Sequence, residues 1–198
     1  MSPLLETIKL KDGKLYNIAF HNRRFNAARK EYFGISEQLD LSEIITIPAD
    51  KKQGLFRCRV VYSPKIEKIE FIPHLSRTIK NLKLVKNDSV DYRFKYSDRS
   101  YLQKLYGQRG NCDDILIIKN GFITDSFTAN PIFFNGKNWW TPNTPLLSGT
   151  QRARYLEEGK ISECQITPSD LSKYQKVGLI NALWDMKDMP VVEINNVF

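Results

Sequence analysis

Residues 113–126, DDILIIKNGFITDS, constrain the chain more than any other stretch. Ile115 to Ile118 form an apolar run suited to a buried strand, and Asn120-Gly121 is a favoured pair for a two-residue type I′ turn. Phe122-Ile123-Thr124 then returns as the second strand of a hairpin. PIFFNGKNWWTP (131–142) repeats the device, with Asn135-Gly136 between PIFF and NWWT. Two such hairpins make the second half of the chain rich in antiparallel sheet.

The first half mixes element types. LLETIKL and KLYNIAF alternate apolar and polar residues around Asp12-Gly13, a hairpin signal. NRRFNAARKEYF (22–33) suits a helix stopped by Gly34, and a short helix over 41–47 is a weaker expectation. GLFRCRVVYS and IEKIEFI (66–72) read as antiparallel partners. YRFKYSDRS (92–100) opens the second half as a strand carrying Lys95, with a helix over 100–106 after it. SGTQRARYLEEGKI is expected to be helical and to end at Gly159. Ser162–Ile166 and Val191–Asn195 are further candidate strands, with a short helix from Ser169. The pattern is α+β.

At 198 residues the chain accommodates one large domain or two small ones. A division into 1–87 and 88–198 follows from where the hairpin-rich half begins. No apolar run approaches the ~20 residues of a membrane span, so no membrane association is expected. The start, MSPLLETIKLKDG, places acid and lysine where a signal peptide would be apolar, which predicts a cytoplasmic protein. Cys58, Cys112 and Cys164 form no metal-binding spacing, and His21 and His74 are the only histidines. A histidine-based metal site or a Ser-His triad is therefore not expected, and no metal is assigned. The net charge of +8 raises nucleic acid as a partner. Acids are interleaved with the basic residues, however, so no nucleic-acid partner is expected; a small anionic ligand fits the same balance.

Four features could carry chemistry, and each has an ordinary explanation. Ser148-Gly149-Thr150 leads into a helix, whose free amides suit an anion, yet the same residues make a plain N-cap. Asp125 at a strand end is usually a turn former. Arg24 could be a solvated helix arginine, and Lys95 one more charge on a wet strand face. Taken singly, the residues decide nothing.

Their order along the chain resembles the class IV aminotransferase family of pyridoxal-phosphate enzymes, which includes branched-chain and D-amino acid aminotransferases and aminodeoxychorismate lyase. LLETIKLKDGKL is similar to the family's FET-type strand and hairpin, and HNRRF to its H-x-x-R-L helix. YRFKYSDRS looks like the segment with the Schiff-base lysine. DDILIIKNGFITDSFTANPIFF matches a stretch of the form D-x-x-L-x-x-x-x-G-x-I-[ST]-[DE]-x-x-x-x-N. WWTPNTPLLSGTQR is similar to the family's TP, LL and GT-x-R segment. The resemblance implies a D-amino acid aminotransferase-like fold: two small α/β layers with the cofactor site between them and the lysine in the second. The chain begins almost at the FET strand, so the fold is expected with a truncated N-terminus.

The resemblance also implies roles. Lys95 would bond covalently to the aldehyde of pyridoxal 5'-phosphate and afterwards move protons, which requires a partly desolvated amine. Asp125 would sit at the pyridine nitrogen, keeping it protonated. Arg24 would bind the cofactor phosphate, together with the backbone amides of Gly149 and Thr150. Asn130 is expected to hold a turn. Ala182, in LINAL, stands where the family has a phosphate-binding threonine or serine, leaving only a backbone contact. Asp98-Arg99 after the lysine, and LINAL itself, are more similar to aminodeoxychorismate lyase, which releases pyruvate and 4-aminobenzoate for folate synthesis. Arg99 and Arg152 are candidate contacts for its two carboxylates. An amino-acid aminotransferase using the same groups is the main alternative, and a non-catalytic cofactor-binding relative a second. The family is generally dimeric, which implies a homodimer.

Overall fold

A computed structural model describes residues 1–198. The chain divides into two compact units. The first comprises Met1–Ser76 and returns for Phe94–Asp98; the second comprises Arg77–Arg93 and Arg99–Phe198. The expected boundary at 87/88, with Lys95 in the second half, is thus corrected: Lys95 belongs to the first unit. The physical reason is backbone pairing. The Leu5 amide donates to the Lys95 carbonyl at 2.8 Å, Ser97 donates to Pro3, and Leu4 bridges Tyr96.

The first unit is a four-stranded antiparallel sheet with one long helix. β1 (Leu4–Lys11) pairs along its whole length with β3 (Leu55–Tyr62), which pairs in turn with β4 (Ile66–Pro73); β2 (Lys14–Leu15) adds two residues at the far side of β1. Asp12 and Gly13 both take positive φ, the signature of a type I′ turn, at the expected hairpin. The returning strand is much shorter than KLYNIAF suggested. Asn17 takes a left-handed conformation and the chain enters α1 (Ile18–Phe33). Gly34, at φ 74°, ends that helix, and α2 (Leu41–Ile44) follows, capped by Asp40 through the Ser42 amide. Leu4, Ile8, Leu10, Phe25, Leu41, Cys58, Val60 and Tyr62 form its core.

The second unit holds two sheets. In one, β5 (Leu82–Lys86) runs parallel to β6 (Asp114–Lys119), which forms a hairpin with β7 (Phe122–Ser126). α3 (Ser100–Tyr106) lies between β5 and β6 in sequence. Asn120 and Gly121 have φ 51° and 84°, the two-residue turn expected from the sequence. The other sheet has β8 (Asn130–Phe134) and β9 (Trp139–Pro142) as its hairpin, then α4 (Thr150–Glu157), β10 (Ser162–Cys164), β11 (Lys176–Ile180) and β12 (Val191–Glu193), in the order β10-β9-β8-β11-β12. The β8–β9 loop is longer than its Asn-Gly pair implies. Phe134 pairs with Trp139, and the Asn135 side chain accepts from the amides of Lys137 and Asn138. YRFKYSDRS forms a single bridge, Leu4 to Tyr96, rather than a strand. These elements confirm a mixed α and β fold.

Candidate active site

β1 alternates inward and outward, and Glu6 falls on the inward register between Leu4 and Ile8. Its carboxylate is fully buried. α1 brings two partners to it from one helical face, three residues apart. Arg24 donates through Nε to Oε1 at 2.8 Å and through Nη2 to Oε2 at 2.6 Å, a bidentate pair. His21 Nδ1 lies 2.6 Å from the same Oε2. Burial alone would raise the Glu6 pKa; the Arg24 charge and the His21 hydrogen bond outweigh it and hold the group at about 2. Burial lowers the His21 pKa against the opposing hydrogen bond and charge of Glu6, and the charges of Arg24 and Lys95 add to the lowering. Neutral His21 therefore donates Nδ1–H to Glu6. Lys95 is half-buried, with its backbone fixed by Leu5. In the first unit the structure thus groups Lys95, Arg24, His21 and Glu6.

The second unit assembles the other predicted residues around Asp125, which β7 turns inward. Asn130, at the start of β8, donates to Asp125 Oδ1 at 2.5 Å and to the Leu147 carbonyl at 3.0 Å. The Leu147 amide donates to Oδ2 at 2.9 Å. Burial pushes the carboxyl up to about 7; the Leu147 amide, Asn130 and the Leu146 amide oppose it, as does the charge of Arg152. Gly149 precedes α4, and a β-carbon there would overlap Asn130 Oδ1, so only glycine lets the helix start approach this side chain. Thr150 is buried at the first position of α4. Asn130 therefore does more than shape a turn: it ties the acid to the loop that opens the helix.

The two candidate substrate arginines are already engaged. Arg152 is buried and donates through Nη2 to the Pro142 carbonyl at 2.8 Å and to Glu163. Arg99 donates to the Phe127 carbonyl and lies 4.4 Å over the Phe127 ring. Both act as internal fasteners here. Asn181, beside Ala182, accepts from the amides of Leu183 and Trp184 and donates to the Thr128 carbonyl. Glu6 and His21 went unassigned in the sequence. An acid on the inward register of an otherwise apolar strand was the signal that could have found Glu6.

The amino-transferase class IV profile matches residues 60–194, more than half of the chain. The chain belongs to this family. Class IV aminotransferases use pyridoxal phosphate, and the cofactor here is pyridoxal phosphate. A protein of Haemophilus influenzae, itself without an assigned activity, is 40% identical over 185 residues, covering 92% of this chain and 98% of the relative. A crystal structure from Haemophilus somnus, of a protein assigned provisionally as a 4-amino-4-deoxychorismate lyase, is 36% identical with a TM-score of 0.86 over 92% of this chain and 97% of that one. A provisionally assigned amino-acid aminotransferase from Mesorhizobium loti shares the fold at 19% identity, with a TM-score of 0.83 and full coverage of both chains.

The residues present fit the cofactor. Asp125 is a buried acid with no cation hydrogen-bonded to its carboxylate, the setting that a protonated pyridine nitrogen would complete. No helix is long and apolar enough to cross a membrane.

Proposed function

We propose that this class IV enzyme is a lyase that converts 4-amino-4-deoxychorismate to 4-aminobenzoate and pyruvate. The observation that carries this choice is the likeness, 36% identical along 92% of the chain, to the Haemophilus somnus protein provisionally assigned that activity. Asp98-Arg99 after Lys95 supports it.

In this reading Lys95 would hold the cofactor covalently and, as a free amine, would move the proton during elimination. Bound pyridoxal phosphate supplies the electron sink. Asp125 would accept a hydrogen bond from the ring nitrogen, its carboxylate braced by Asn130 and Leu147. Arg24 in the first unit would bind the phosphate, and in the second the amides of Gly149 and Thr150 suit the same anion. Because Arg99 and Arg152 are bonded internally, they would serve the substrate carboxylates through the backbone they hold rather than by direct contact. The same reading expects a homodimer in the cytoplasm.

The test supplies aminodeoxychorismate to the cofactor-loaded protein. A lyase releases 4-aminobenzoate and pyruvate without a keto-acid acceptor, and Lys95→Ala abolishes the release. Turnover only with an amino-acid donor and a 2-keto-acid acceptor would establish an aminotransferase instead. Absence of a borohydride-sensitive absorbance band from the lysine-bound cofactor would establish a non-catalytic relative.

A further inference from the structure

Two adjacent residues of β1 hold the Lys95 backbone and the Arg24 side chain. Leu5 fixes the Lys95 backbone through one hydrogen bond of 2.8 Å. Glu6, the next residue, fixes Arg24 through two, at 2.8 and 2.6 Å. A two-point bond to a planar guanidinium sets its plane as well as its place. The same carboxylate takes His21 Nδ1 at 2.6 Å, so strand and helix are joined at one buried anion. As packing alone this is a poor choice. An aliphatic side chain between Leu4 and Ile8 would fill the register without desolvating a charge. The group is nevertheless ionised, because its partners are in place.

We propose that Glu6 is the positioning residue for the cofactor phosphate: it orients Arg24 on the strand that also fixes Lys95, so that the phosphate anchor and the covalent anchor keep one separation. His21 is the second brace of the same carboxylate and limits its rotation. The proposal rests on Arg24 being a phosphate ligand, as read above. It goes further in assigning the geometry of that ligand to a residue that touches no part of the cofactor.

Glu6→Gln preserves shape but puts an NH2 group where Arg24 or His21 requires an acceptor. Binding of pyridoxal phosphate, and of pyridoxal, which lacks the phosphate, is measured by absorbance titration for the wild type and the variant, with melting temperatures alongside. The affinity for pyridoxal phosphate should fall at least about tenfold, while that for pyridoxal changes by less than about twofold. In an Arg24→Gln background, Glu6→Gln should cost no further affinity, because the carboxylate acts through Arg24. An equal loss for both ligands, an unchanged affinity for pyridoxal phosphate, or an undiminished effect in the Arg24→Gln background overturns the assignment. If Glu6→Gln does not fold, Glu6→Asp, one methylene shorter with its charge retained, must show the same phosphate-selective loss, and failure to show it overturns the assignment equally. Wild-type protein that forms no borohydride-sensitive band overturns the cofactor reading and this assignment together. Normal wild-type binding beside an indifferent Glu6→Gln overturns this assignment alone.

Discussion

Asn130 donates its side-chain amide to Asp125 across 2.5 Å, and both side chains are buried. Five residues apart in sequence, they stand at the end of one strand and the start of the next. The SFTA turn between them is held from outside by Arg99 at the Phe127 carbonyl and by Asn181 at the Thr128 carbonyl. The acid is therefore fixed by its neighbours before any ligand arrives, which reduces the reorganisation needed on binding.

The raised pKa of Asp125 has a measurable sign. The folded apoprotein holds this proton up to about pH 7, whereas an unfolded aspartate releases it near its ordinary value of 3.8. The native state thus binds more protons across that window, and stability falls as the pH rises from about 4 to about 7. The three-unit displacement corresponds to about 4 kcal/mol. Asp125→Asn should remove the slope. Denaturant unfolding of both proteins at several pH values reads it, and parallel stability curves would refute the prediction. Glu6, held at about 2, acts in the opposite sense: its contribution is lost as the pH falls below about 4.5.

Gly149→Ala should destabilise the protein by about 1–3 kcal/mol, an overpacking cost. The added methyl overlaps Asn130 Oδ1, and that side chain cannot swing aside without releasing Asp125 and the Leu147 carbonyl. Affinity for pyridoxal phosphate should fall together with the melting temperature. A neutral Gly149→Ala would mean that the loop yields at no cost.

Arg152→Ala should act on stability before it acts on substrate. Loss of the bonds to Pro142 and Glu163 should cost about 2 kcal/mol, detectable as a lowered denaturation midpoint. A raised KM with an unchanged midpoint would show instead that Arg152 contacts the substrate directly.

The sequence carried the fold where pattern and turn chemistry agreed. The β6–β7 hairpin was legible because Ile115–Ile118 and Asn120-Gly121 give the same answer. β11 was not, since KVGLI is short and Gly178 interrupts it; in the fold the Met189 side chain packs into the space a β-carbon there would take. KLYNIAF misled for a different reason: alternation suggested a strand, but Asn17 can adopt the left-handed turn that starts α1. At the candidate site, Lys95, Asp125 and Gly149 were singled out by their order along the chain. Glu6 and His21 were hidden because the pairing between them spans 15 residues and two elements, and no local pattern records it.

The return of Phe94–Asp98 to the first unit bears on how the protein is made. A chain emerging from the ribosome presents β1, α1, β3 and β4 early, yet the open edge at Leu4 and Leu5 must wait until Tyr96 has been synthesised. The segment that completes the first unit is also the one carrying Lys95. Nascent chains arrested before residue 94 should therefore be more susceptible to proteases along β1 than chains arrested well beyond it.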